Sequence, residues 1–154
     1  GSSICGTILA IDNYLPKYKS GEEGIIINIA SIAGIMPFGF CPIYSAAKHG
    51  VVALSRCFGQ QEHYERSKVR VIAICPGYME FEATLQSDDR YPEYYKIFNL
   101  KEDDFPVIAP GIAAERLVDI MKTSSNGSVW VIEGDEKPYE VVFPNFRKVT
   151  TVTI

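Results

Sequence analysis

Nowhere does the sequence hold an apolar run near the roughly eighteen residues that a membrane span needs. It has no Cys-x-x-Cys pair. Cys5, Cys41, Cys57 and Cys75 are widely spaced, which argues against a disulfide framework and reads as buried or partly buried thiols of a reducing, cytoplasmic compartment. Histidine is scarce: His49 and His63 stand without a cysteine or carboxylate pattern around them, so no metal site is expected. Positive charge is in deficit, with 15 Lys and Arg against 19 Asp and Glu and a net charge of −4. No basic stripe points to nucleic acid, and no polybasic segment points to an anionic membrane. A signal-peptide pattern, repeats and low-complexity tracts are all missing. So is an initial methionine: the chain opens Gly1-Ser2-Ser3 and is expected to be a piece of a longer protein, or a chain whose start is not its gene's start.

What is present suits one packed domain. The 154 residues are 47% hydrophobic and 22% charged, enough to build a core. Ile4, Ile8, Ile11 and Leu15 recur at helical spacing and predict a helix from Ile4 to Lys19. The apolar run 25–30 predicts a strand buried on both faces, and Val69 to Cys75 a second. Between them, a long helix is expected from about Ile43 to about Tyr64. Pro110-Gly111 opens a further helix, and Val129 to Ile132 is a third strand. Helices alternating with apolar strands predict an α/β fold with right-handed crossovers and a parallel sheet of about three strands. The tail from Asp135 is polar and β-prone.

Tyr44 and Lys48, in Tyr44-Ser45-Ala46-Ala47-Lys48, share one helix face. A free phenol ionises near pH 10, and an adjacent ammonium favours the phenolate. Such a pair can take a proton from an alcohol, or give one to a carbonyl, near neutral pH. By spacing alone the pair could equally be solvated. Ser31 stands thirteen residues before Tyr44, at the end of the first strand, and ligands of open α/β sheets bind outside the carboxyl ends of strands.

The order Gly24-Ile25-Ile26-Ile27-Asn28-Ile29-Ala30-Ser31, then Tyr44 and Lys48, then Cys75-Pro76-Gly77, resembles the short-chain dehydrogenase/reductase family. The likeness is greatest to its NAD-dependent 15-hydroxyprostaglandin dehydrogenase branch, which includes insect relatives. It implies a Rossmann-like doubly wound sheet, of which residues 1–134 would be the C-terminal catalytic half only and 135–154 a tail. It also implies roles. Tyr44 would be the general acid/base, Ser31 would hold the substrate oxygen, and Lys48 would favour the phenolate and bind the nicotinamide ribose. Pro76, Gly77 and Tyr78 would lie against the nicotinamide, and Phe40 and Cys41 would help to line the substrate site. Many relatives carry a threonine four residues after the glycine; here that position is Phe81.

The cofactor implied is NAD, bound by the parent protein. No glycine-rich turn of the kind that meets a pyrophosphate follows a strand and opens a helix, so that turn is expected to be absent and the isolated chain inactive. The expected substrate is a small secondary alcohol or ketone. Met36, Phe38, Phe40 and Cys41 before Tyr44, and the aromatics Tyr91, Tyr94, Tyr95 and Phe98, suit a hydroxylated lipid such as a 15-hydroxyprostaglandin. The parent is expected to be a homo-oligomer, pairing through the first helix and the Tyr44 helix. The alternative is a truncated, non-catalytic relative that serves as a dimerisation or binding partner.

Overall fold

The computed structural model describes residues 1–79 and 105–145. The chain enters in helix α1 (Ser2–Leu9), which runs without a break through a π-helical turn (Ala10–Tyr14) into α2 (Leu15–Tyr18). Strand β1 (Gly24–Ile29) follows, then a 3-10 turn (Ile32–Gly34) and helix α3 (Pro42–Phe58). Helix α4 (Gln61–Ser67) leads into β2 (Val69–Pro76) and β3 (Tyr78–Met79). After the undescribed stretch come β4 (Val107–Ile108), α5 (Pro110–Thr123), β5 (Val129–Ile132) and β6 (Tyr139–Glu140).

The main sheet has the order β1-β2-β5-β6. β1, β2 and β5 are parallel, and β6 pairs antiparallel with β5 through Trp130–Glu140 and Val131–Tyr139. The expected α/β fold is therefore present, with a mixed, mostly parallel sheet. It has one strand more than predicted, because the segment after Asp135 turns back onto β5. β3 and β4 form a separate parallel pair.

Alternation along the strands sorts the core. Gly24, Ile26 and Asn28 of β1, with Ala30 just beyond it, share a face with Val69, Val71, Ala73 and Cys75 of β2, which packs against Ile11, Val52 and Phe58 of the helices. Ile72 and Ile74 of β2 and Ile132 of β5 pack on the opposite face with Ile108, Ala113 and Ile120. Helices thus cover both faces.

One boundary differs from expectation for a steric reason. α3 stops at Phe58 rather than continuing toward Tyr64, because the chain turns at Gly59 against the Asn126-Gly127 turn. A Cβ at residue 59 would lie 2.1 Å from Gly127 Cα, and Gly127 itself has φ +77°. In the first helix, Ile4 and Ile8 are 49% and 40% exposed, while Thr7 and Ile11 are buried. Arg70, the polar exception in β2, donates to the carbonyls of Met121 (3.1 Å) and Ser124 (2.6 Å) and so closes the C-terminal end of α5. Among the described residues no helix is long and apolar enough to cross a membrane, and no cluster could hold a metal ion.

Candidate active site

The parallel strands β1 and β2 end side by side, with Ile29 opposite Ile74. Ser31 begins the turn that follows. Its hydroxyl oxygen accepts a hydrogen bond from Ala33 N–H at 3.1 Å, capping the 3-10 turn. A hydroxyl has one donor and two acceptor positions, so the Ser31 proton and one lone pair remain for another partner. The side chain is buried at 9% exposure, which fixes its direction.

Pro42 starts α3 where a missing N–H costs nothing, and Tyr44 and Lys48 stand in its first two turns. The helix lies close to the Ser31 turn because residue 34 is glycine: a Cβ there would be 2.7 Å from the Lys48 carbonyl oxygen. Lys48 Nζ donates to the Ile29 carbonyl at 3.1 Å and lies 5.5 Å from the Tyr44 ring centroid. An ammonium has three donors, so this bond leaves two. Partial burial lowers the Lys48 pKa from its ordinary value, and the nearby Cys75 opposes that shift. Tyr44 is 49% exposed, and its hydroxyl makes no hydrogen bond among the described residues.

Cys75 completes this floor. Burial pushes its thiol up to about 11, against the opposing effects of a backbone hydrogen bond from Ser31 and the Lys48 charge. It is therefore a neutral thiol at ordinary pH, lying between Ser31 and Lys48. Cys5 and Cys57, by contrast, are exposed, so the expectation of four sheltered thiols holds only for Cys75 and the half-buried Cys41.

The remaining predicted residues divide. Gly77 N–H donates to Ile132 O at 2.9 Å, and a Cβ at 77 would lie 2.6 Å from Glu133 Cβ. The close approach that demands glycine here is thus made by the end of β5. Tyr78 stacks on Phe105 at 4.2 Å. Phe40 is buried, stacked on Phe38 at 5.3 Å and tilted against Phe105 at 6.3 Å, so its ring belongs to an aromatic cluster rather than a free wall. Cys41 precedes α3, its Sγ 3.7 Å from Ser45 Oγ, and that hydroxyl also accepts from Phe38 N–H at 3.1 Å. Ser45 therefore pins the loop before Tyr44, a role its place beside the tyrosine did not announce. Phe81, Tyr91, Tyr94, Tyr95, Ile97 and Phe98 lie outside the described residues.

A model of the short chain dehydrogenase family matches residues 2–91. The chain belongs to the short-chain dehydrogenase family. It is 32% identical to 15-hydroxyprostaglandin dehydrogenase (NAD(+)) of Rattus norvegicus, over 96% of this chain and 58% of that protein. The same enzyme of Homo sapiens is 35% identical over 85% of this chain and 51% of its own length. The chain thus spans about half the length of the curated relatives it matches. L-sorbose reductase from Gluconobacter frateurii shares the fold at a TM-score of 0.64 and 22% identity, covering 85% of this chain and 53% of that one. Levodione reductase does so at 0.57 and 27%, covering 86% and 54%.

Two expectations are corrected by these matches. The short-chain dehydrogenase match falls on the N-terminal part of this chain, residues 2–91, in a cofactor-binding region of the family. That overturns the assignment to a C-terminal catalytic half only. It also overturns the NAD expectation as first framed, with the binding elements missing from the chain, because the chain aligns with the cofactor-binding part of its relatives, which use NAD(P). A glycine-rich turn is one way of holding a dinucleotide. The matched stretch also carries donors of another kind, the Lys48 ammonium and the Tyr44 and Ser31 hydroxyls. Two free ammonium protons and a half-exposed phenol suit the hydroxyl-rich ribose of a nicotinamide cofactor.

Proposed function

We propose that this short-chain dehydrogenase interconverts a secondary alcohol and a ketone with an NAD(P) cofactor. The observation that carries the reading is Lys48, set beside the Tyr44 ring and bound to the Ile29 carbonyl two residues before Ser31, outside the ends of two parallel strands. A nicotinamide bound there supplies the hydride acceptor or donor. The chain's own residues handle the proton. The Ser31 hydroxyl, with its proton unspent, donates to the substrate oxygen and sets it beside Tyr44. Tyr44 takes the hydroxyl proton in oxidation and returns it in reduction. Lys48 offers its two remaining protons to the ribose. Hydroxylated lipids are the substrate class put first, since the curated relatives are named 15-hydroxyprostaglandin dehydrogenase and the loop before Tyr44 is apolar. The acting form is a cytoplasmic homo-oligomer.

The test measures reduced-nicotinamide formation by the protein with 15-hydroxyprostaglandins and simple secondary alcohols, using NAD or NADP. Tyr44→Phe is expected to lower turnover by about 100-fold or more, as loss of a general acid/base does, while cofactor binding persists. Turnover that survives Tyr44→Phe would sink the assignment. No turnover with any pair would sink the catalytic reading.

A further inference from the structure

β1 is a run of isoleucines with one polar interruption, Asn28, which is buried at 8% exposure. A buried amide is costly unless its hydrogen bonds are made. Asn28 makes them to two different helices. Thr7 Oγ1, on α1, donates to Asn28 Oδ1 at 3.1 Å. Asn28 Nδ2 donates to Ser55 Oγ, on α3, at 2.9 Å, and Ser55 passes its own proton to the Val51 carbonyl at 2.9 Å. Thr7 and Ser55 are buried at 2% and 0% exposure, so the line is closed to water from end to end. The small Ala73 stands opposite Asn28 in the sheet.

We propose that Thr7–Asn28–Ser55 is a positioning relay that fixes α3 along its axis relative to β1, and with it the placement of Tyr44 and Lys48 against Ser31. This rests on the catalytic reading above for its consequence, though not for its geometry. Among the described residues α3 is tied to β1 by side-chain hydrogen bonds at two points: Lys48 Nζ on the Ile29 carbonyl near one end, and Ser55 on Asn28 two turns further along. An apolar contact at the second point would tolerate sliding, because apolar packing has no direction. A hydrogen bond with a defined donor and acceptor does not tolerate it. Asn28 precedes Ser31 by three residues in the same strand and turn, so whatever holds α3 to Asn28 also holds Tyr44 to Ser31. Thr7 does not touch α3 in this line. It orients the amide, since a bond to Oδ1 dictates that Nδ2 faces Ser55.

Thr7→Val removes the hydroxyl with little change of shape, and Thr7→Ser restores it. Both lie on α1, away from any reacting atom. Backbone amide exchange is compared across 43–50 of α3 and across β5. Thr7→Val is expected to speed exchange in 43–50 by about threefold or more while β5 stays as it was, and Thr7→Ser to match the unsubstituted protein. With a turned-over alcohol, kcat should fall about 3- to 10-fold at unchanged KM, the sign of misplacement rather than lost binding. Exchange that rises equally in β5, or a loss confined to KM, would overturn the relay. If Thr7→Val does not fold, Ser55→Ala is read in the same way. A protein without turnover would defeat the catalytic reading alone, and the exchange comparison would still decide the relay.

Discussion

The two faces of the sheet are built from different materials. Toward α5 the sheet presents Ile72, Ile74 and Ile132, which meet Ile108 and Ile120, all under 5% exposed. Toward α1 and α3 it presents Ala30, Ala73, Cys75 and Asn28, with valines and a hydrogen-bonded line of Thr7, Asn28 and Ser55. Large aliphatics bury the most area per residue and anchor the fold. Small and polar residues give up area but let backbones come close and hold them in one register. The functional groups lie above the second face, where Gly34 meets the Lys48 carbonyl. One face supplies stability, and the other supplies placement.

The widest separation of the two roles should come from Ile74→Ala. Removing this fully buried side chain is expected to cost about 2–5 kcal/mol in chemical unfolding. Site geometry in the fraction that stays folded should be spared, seen as an unchanged KM. Next is the pH response of Cys75. Its folded pKa of about 11 lies above the ordinary 9.0 because of burial. The folded state therefore holds this proton more tightly. The resulting stability is complete below about pH 9 and is lost as pH rises through about 11, by an amount on the order of 2–3 kcal/mol. Lys48 acts in the opposite sense: the cost of burying its charge is relieved as pH rises toward 10.5. Cys75→Ala should flatten the alkaline fall in unfolding midpoint, and an unaltered slope would remove the thiol from the account. Smaller again is Gly34→Ala, which forces a Cβ onto the Lys48 carbonyl and should cost about 1–3 kcal/mol, with turnover falling more than stability. The smallest effect, and a gain, is expected for Gly50→Ala. It lies on the same helix with nothing within 4 Å of the new Cβ, and should add about 0.5–1 kcal/mol.

Much of this could be read in order along the chain. The isoleucine run, the Tyr44–Lys48 spacing and Pro110-Gly111 are local signals, and the elements they predict are present. What stayed hidden depends on partners far away in sequence. Asn28 looks like a blemish in a strand until Thr7 and Ser55, 21 and 27 residues off, are placed beside it. Gly59 looks like a helix residue until Gly127 is found against it. Phe40 resembles a pocket wall in a short apolar loop, but Phe105 arrives from beyond the next two strands to bury it. The β-prone residues near Tyr139 became a strand because β5 offered them an edge. Spacing reveals what a segment can be, and the distant neighbour decides which use is made of it.

The π-helical turn near the start has a consequence of the same kind. A π turn holds about one residue more than an α turn. Before it, Thr7 reaches Asn28; after it, Leu15 packs within 3.4 Å of where a Cβ on Gly24 would be. These contacts grip opposite ends of β1. A one-residue deletion within 10–14 would restore a regular helix and rotate one end against the other by about 100°. Either Thr7 or Leu15 would then swing off the strand. The wide turn acts as a vernier, letting a helix with a rise of about 1.5 Å per residue meet, at both ends, a strand that rises about 3.3 Å.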